Sequence, residues 1–260
     1  MKLFNKTVDV YWTPTGGLRS NDPFTWQQMA WPDPESALKR IKNQRNALYL
    51  KCPAFQDYYK NTYVVKSPVD FSLKVEKNIQ GKKLIASYAP DVKSRQEDFY
   101  KNYIMDRNIE NDTFSTLSVS FDFLFYSKES VIMELIPANL ETDTKNNLDN
   151  LRIITGQYDI SKWFRPISFT AEIKDDLIPI TFKRNDAMYY VRFITKNNQK
   201  INLIRSEYTP ELKNLVSSCL DIKFFITKNS LEENYTMAES FIKLIKNKIF
   251  PKKCPFGFKK

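Results

Sequence analysis

The chain has 260 residues, 42% hydrophobic and 27% charged, with a formal net charge of +10 and no histidine. A globular chain of this length buries about 73% of its extended surface, so a single domain over 1–260 is the expectation. Without an imidazole, Ser-His-Asp and Cys-His nucleophile activation, His-ligated iron and cupin sites and the usual catalytic zinc sets are excluded.

In chain order, alternation over 6–12 predicts a strand, followed by an aromatic-studded loop that holds Trp26 and Trp31. Together with Trp12 these form an aromatic N-terminal segment, 1–46, whose three tryptophans are expected at a ligand or partner surface and which closes with a helix over 34–44. Asp33 is the expected cap and Pro34 the first helical residue, with Ala37, Leu38 and Ile41 as its apolar stripe. A β-rich core over 47–205 comes next, with strands predicted at 48–51, 62–66, 70–76 and 82–89. Helical spacing of Val92, Phe99, Tyr100, Tyr103 and Ile104 predicts a helix within 91–108. The clearest strand is 116–126, where Val119, Phe121, Phe123 and Phe125 share one face. Further short strands are expected at 131–136, 151–155, 167–173, 178–182, 189–194 and 200–204. Such spacing leaves little room for crossover helices, so it favours antiparallel pairing.

The last part, 206–260, reads as helical. Thr209 with Pro210 starts a helix over 210–220 that turns Leu212, Leu215, Val216 and Cys219 inward, and 224–227 suits an edge strand. Ser230 and Glu233 form a capping box for a longer helix, 231–249. Met237, Phe241, Ile242, Ile245 and Ile249 make its apolar stripe, expected to dock on the sheet, and Pro251 ends it. The fold class that follows is α+β and β-rich: an antiparallel jelly-roll-like or sandwich core with peripheral helices and a helical, basic C-terminal end.

No stretch approaches 18 apolar residues, and the opening has no h-region, so a membrane span and export by a signal peptide are both disfavoured. The five glycines, at 16, 17, 81, 156 and 257, write neither a P-loop nor a dinucleotide fingerprint. Three cysteines, Cys52, Cys219 and Cys254, lack CxxC spacing and read as reduced, buried small hydrophobes rather than a disulfide framework. Two of them share the context Lys-Cys-Pro, at 51–53 and 253–255, so their proximity is testable.

The charge is concentrated at one end. Residues 241–260 carry seven lysines and no acid, which leaves +3 for the first 240. Lys252, Lys253, Lys259 and Lys260 form a tail that suits solubilisation or an anionic partner, nucleic acid included, with a salt slope bounded at about −6 for seven contacts.

Two polar-aromatic runs are candidate ligand or partner surfaces. In the first, Tyr58, Tyr59 and Tyr63 are stacking surfaces and Asp57 an acceptor; in the second, Trp163 and Arg165 stand beside Asp159. Both runs serve equally as structural corners. The acid pairs Asp175-Asp176 and Glu232-Glu233 suit a turn and a helix's opening turn. No catalytic residue, metal site or cofactor is therefore assigned, and an enzyme is the less favoured reading.

The segments 31–34, 51–55 and 60–70, with Gly156-Gln157-Tyr158-Asp159, Trp163-Phe164-Arg165-Pro166 and 182–193, resemble a group of proteins from tailed phages of marine bacteria. The resemblance covers about half the chain. It implies a phage source and a β-rich fold, and it carries no functional residues. The expectation is a viral structural or protein-interaction role, with another virion protein or a host protein as partner, self-association included, in the virion or the host cytoplasm. The alternatives are an early-infection factor that binds nucleic acid or a host protein through its basic end, and a His-free enzyme or carbohydrate-binding module in which the two aromatic runs share one pocket.

Overall fold

The computed structural model describes residues 7–15, 31–77, 83–87, 104–106, 115–142, 149–225 and 229–250. It is α+β and strand-rich, and its sheets are open. The first sheet is built on strand β7 (Ser115–Ser127), whose 13 residues are long enough to serve several neighbours. Strand β1 (Val8–Pro14) pairs with its 123–127 end and β6 (Ile104–Asp106) with 117–119, while β11 (Ile167–Ile173) runs antiparallel along the opposite edge. Strand β9 (Leu151–Ile154) extends the sheet beyond β11. At the other end β14 (Ile201–Arg205) adds parallel to β1.

The second sheet has the order β10 (Gly156–Asp159), β8 (Ile132–Pro137), β13 (Ala187–Ile194), β3 (Thr62–Lys66) and β2 (Glu35–Ser36), antiparallel throughout. A third, small sheet joins β12 (Ile180–Phe182), β4 (Phe71–Lys77) and β5 (Lys83–Ser87).

Alternation along the strands decides what each face meets. Val8, Val10 and Trp12 of β1 and Leu117, Val119, Phe121, Phe123 and Phe125 of β7 enter the main core, between the sheets. Phe125 meets Phe193 with ring centroids 5.5 Å apart, Phe169 meets Tyr189 at 5.2 Å, and Phe121 meets Phe71 at 5.3 Å, tying the first sheet to the other two. The opposite faces of the same strands present Tyr11, Leu124 and Tyr126, which lie in a second core with α3 (Pro210–Phe225) and α4 (Leu231–Ile249). On the far side of the second sheet, α1 (Ala37–Gln44) buries Ala37 and Ile41, and α2 (Pro53–Tyr59) packs Tyr59 against Tyr190. Helices thus cover the outer face of each large sheet.

Several elements differ from expectation for local reasons. Asp33 does not cap α1. Glu35 and Ser36 are held extended by pairing with Val64 and Tyr63, so the helix starts at Ala37, with the Ser36 hydroxyl accepting from the Lys39 amide. The expected strand at 48–51 is a 3-10 turn, and the connection after it is a helix that Cys52 precedes and Pro53 opens. Helix α3 continues through Phe225, where an edge strand was expected. Residues 91–103, 107 and 108 of the expected middle helix lie outside the described residues, and 104–106 pair as β6. The capping box at Ser230 and Glu233 is present with both of its hydrogen bonds. On α4 only Ala238, Ile242 and Ile249 are buried, whereas Met237 and Phe241 of the expected stripe are exposed.

The thiols divide by environment. Cys52 is exposed, contrary to the expected burial, because it sits ahead of a surface helix; Cys219 is buried in the second core, and Cys254 lies outside the described residues. Burial pushes the Cys219 thiol up to about 12. Alkylation of the folded chain at neutral pH should therefore label Cys52 and spare Cys219, as read by peptide mass mapping, with Cys219 labelled only after denaturant is added. Burial likewise raises the phenols of Tyr158, Tyr189 and Tyr190 above the ordinary 10.0. A raised acid binds its proton more tightly in the folded state. This contribution is whole below pH 10 and is lost as the pH climbs beyond it.

Candidate interaction cleft at the sheet corner

The chain passes from the first sheet to the second between β9 and β10, with Thr155 as the only residue between strands. Gly156 opens β10, and a Cβ built there would meet nothing within 4 Å. Beside this crossing lies a cleft of about 300 Å³, lined by Leu135, Ile154, Gly156, Tyr158, Trp163, Arg165 and Leu231 among others. Its volume falls at the lower end of the range for small-ligand and side-chain pockets. Ile154 on the edge strand and Leu231 at the start of α4 are 46% and 43% exposed, so apolar surface continues from the cleft to solvent.

The turn that follows β10 holds this corner in place. Asp159 is buried at 3% exposure, and every contact it makes is used. One carboxylate oxygen accepts from the amide and hydroxyl of Ser161, the other from the Ser130 hydroxyl. Its carbonyl accepts from the amides of Lys162 and Trp163, and its own amide donates to the Tyr235 hydroxyl of α4. An Asx turn of this kind explains why an aspartate is needed here, and it makes Asp159 a turn former rather than a ligand group.

Trp163, 3% exposed, fills the second core and approaches Tyr235 with a centroid distance of 6.5 Å. The Arg165 carbonyl accepts from the Tyr158 hydroxyl at 3.1 Å, and its guanidinium donates to the Ser168 hydroxyl at 3.3 Å. The aromatic–basic pairing of this corner involves Lys162, whose ammonium lies 5.4 Å from the Tyr235 ring centre. A second groove of about 310 Å³ runs along α4 on the Lys162 side, between Lys162, Tyr235, Glu232, Glu239, Lys243 and Lys246. Its mixed charges and the Lys243–Glu239 ion pair give it no single sign.

The first aromatic run lies elsewhere: Tyr58 and Tyr59 are on the outer face of the second sheet, and Tyr63 turns inward against Phe193 with ring centroids 5.7 Å apart. Tyr58, 44% exposed, lies against the Arg192 guanidinium at 4.0 Å, and Arg192 pairs in turn with Glu134. Both carboxylate oxygens of Asp57 accept from the Asn198 side-chain Nδ2, Asn61 accepts from the Ile201 amide and donates to the Gln199 carbonyl, and the Tyr63 hydroxyl donates to the Ile201 carbonyl. These contacts pin the turn between β13 and β14, where Asn198 has a φ of 47°. None of Asp57, Tyr58, Tyr59 and Tyr63 lines the cleft beside Trp163 and Arg165, so the runs do not share a pocket, and the enzyme or carbohydrate reading loses the convergence it requires.

The N-terminal tryptophans are also placed by packing. Trp12 is 2% exposed, with the Arg205 guanidinium 5.0 Å from its ring, and Trp31 is 3% exposed and edge-on to Phe123 at 5.0 Å. Both belong to the main core, not to a partner surface. Trp26, Lys252, Lys253, Lys259 and Lys260 lie outside the described residues.

Two features escaped the sequence reading. Leu231 was legible only as the start of a helix, and its neighbours in the cleft come from four strands. On the other side of the molecule, the Glu141 side chain is fully buried and accepts from Arg40, Gln44 and the Tyr190 hydroxyl. No spacing signals a contact that spans 101 residues of chain. Among the described residues, no group of three or more His, Cys, Asp or Glu side chains is arranged to hold a metal, and no helix is long and apolar enough to cross a membrane. No family model matches the chain, and neither a curated protein nor a solved structure is significantly similar to it.

Proposed function

We propose that this chain is a structural, protein-interaction component of a tailed-phage particle, a sandwich module whose corner cleft receives an apolar side chain from a neighbouring virion protein. The observation that carries the reading is the cleft itself: apolar walls, exposed Ile154 and Leu231 at its mouth, and one guanidinium among its lining groups. A pocket of this makeup suits an aliphatic or aromatic anchor with a backbone carbonyl near Arg165, the usual composition of an interface hot spot. The polar groups of the corner are satisfied internally, which supports a rigid receptor rather than a reaction centre.

Gly156→Leu is the direct test, because a side chain there enters open space. We expect it to fold with an unchanged melting temperature and to be incorporated into assembling particles at least tenfold less than wild type when the two compete. Equal incorporation would overturn the cleft as the contact. Salt-sensitive binding to nucleic acid by the purified chain, lost without residues 250–260, would instead favour the early-infection factor.

A further inference from the structure

Helix α4 carries more apolar surface than its docking on the sheet uses. Met237, Phe241 and Leu244 are 40%, 44% and 78% exposed. On a helix turning about 100° per residue they fall, with Lys248, within about 60° of one another, and about 110° round from the face of Ala238, Ile242 and Ile249. The buried face docks in the second core, while the first stripe faces outward as a separate seam.

The charges beside that seam are ordered along the helix. Glu232 and Glu233 lie in the first turn, and Lys246 and Lys248 in the last. The apolar stripe is centred between Ser240 and Phe241. A two-fold axis there places Met237 of one copy over Leu244 of the other. The same axis places Glu233 opposite Lys248 at both ends, because each pair is equidistant from the centre. Glu233 and Lys248 are about 22 Å apart along the helix, so the two ion pairs bracket the apolar contact. Parallel packing would instead set Glu233 against Glu233 and Lys248 against Lys248.

We infer that the chain self-associates through α4, as a two-fold antiparallel pair of helices with Met237, Phe241 and Leu244 at its centre and Glu233–Lys248 contacts at its ends. The partner surface is therefore a second copy of this chain, on a face distinct from the corner cleft and independent of what that cleft receives. One helix pair buries less than the about 1,200 Å² of a stable complex, which sets a weak, concentration-dependent dimer.

Sedimentation of the full chain from low micromolar to several hundred micromolar tests the inference. Wild type should pass from monomer to dimer. Leu244→Asp should weaken the dimer at least tenfold and Lys248→Glu severalfold, both with unchanged circular dichroism because these side chains face solvent. Orientation is read in a background with Cys52→Ser and Cys254→Ser. A mixture of Met237→Cys and Leu244→Cys chains should form the mixed disulfide, whereas Met237→Cys alone should cross-link poorly. A monomer throughout the range, a dimer indifferent to both charge and stripe variants, or preferential 237–237 cross-linking would each overturn it.

Discussion

Glu141→Ala is expected to lower the unfolding free energy by about 3–5 kcal/mol. The Glu141 carboxylate is fully buried and stands between the Arg40 guanidinium of α1, itself only 18% exposed, and the Tyr190 hydroxyl at 2.9 Å on the outer face of the second sheet. Truncation leaves a guanidinium and a phenol without their acceptor in a place water reaches poorly. Arg40 remains attached to Glu35 at 2.7 Å, on the more exposed side, which keeps the loss from being larger. The Tyr190 phenol is raised by burial first and then by the nearby carboxylate. Tyr190→Phe, which removes one donor and leaves the ion pair, should therefore cost about 1–2 kcal/mol. Urea titrations of the two variants measure both, and a Glu141→Ala loss no larger than that of Tyr190→Phe would show that the ion pair contributes nothing.

Phe123→Ala should cost about 3–5 kcal/mol by leaving a cavity in the main core beside Trp12 and Trp31. The ring is fully buried, 6.0 Å from Trp12 and 5.0 Å from Trp31, in the middle of β7 where β1 and β11 both pair. Two tryptophans lose a wall at once, so the loss should be accompanied by a red shift and reduced intensity of tryptophan emission. A stability loss without a fluorescence change would mean that the segment bearing Trp31 is not seated on β7 as described.

The β3, β11 and α4 boundaries agree between sequence and structure to the residue. In β11 the half-buried and buried positions alternate without interruption, and in α4 a capping box at one end and a proline beyond the other bracket the helix. The short run at 48–51 failed because four residues of mixed polarity do not distinguish a strand from a 3-10 turn. The local signal for the helix after it is Pro53, whose fixed φ suits the first helical position. For α4 the apolar arc is wide enough to serve two faces, and periodicity alone cannot say which half docks; Met237 and Phe241 went to the wrong one.

Of the candidate site, Trp163, Arg165 and Asp159 were found as a cluster because they are close in sequence, though Asp159 forms the turn and Trp163 the core behind the cleft. Leu135, Ile154 and Leu231 reach it from other elements, and no local pattern joins them. Trp12 at the end of a strand and Trp31 in the loop after it look like surface aromatics beside Pro, Gly and polar residues, yet tertiary burial of their large apolar area outweighs the polar company they keep.

The most direct test of the account is the number of copies of this chain in purified particles of the tailed phage proposed as its source, counted by quantitative mass spectrometry. A structural interaction module predicts a fixed number per particle that is a multiple of a symmetry order, even after a high-salt wash. Fewer than one copy per particle, with the chain recovered only from infected cells, would contradict it.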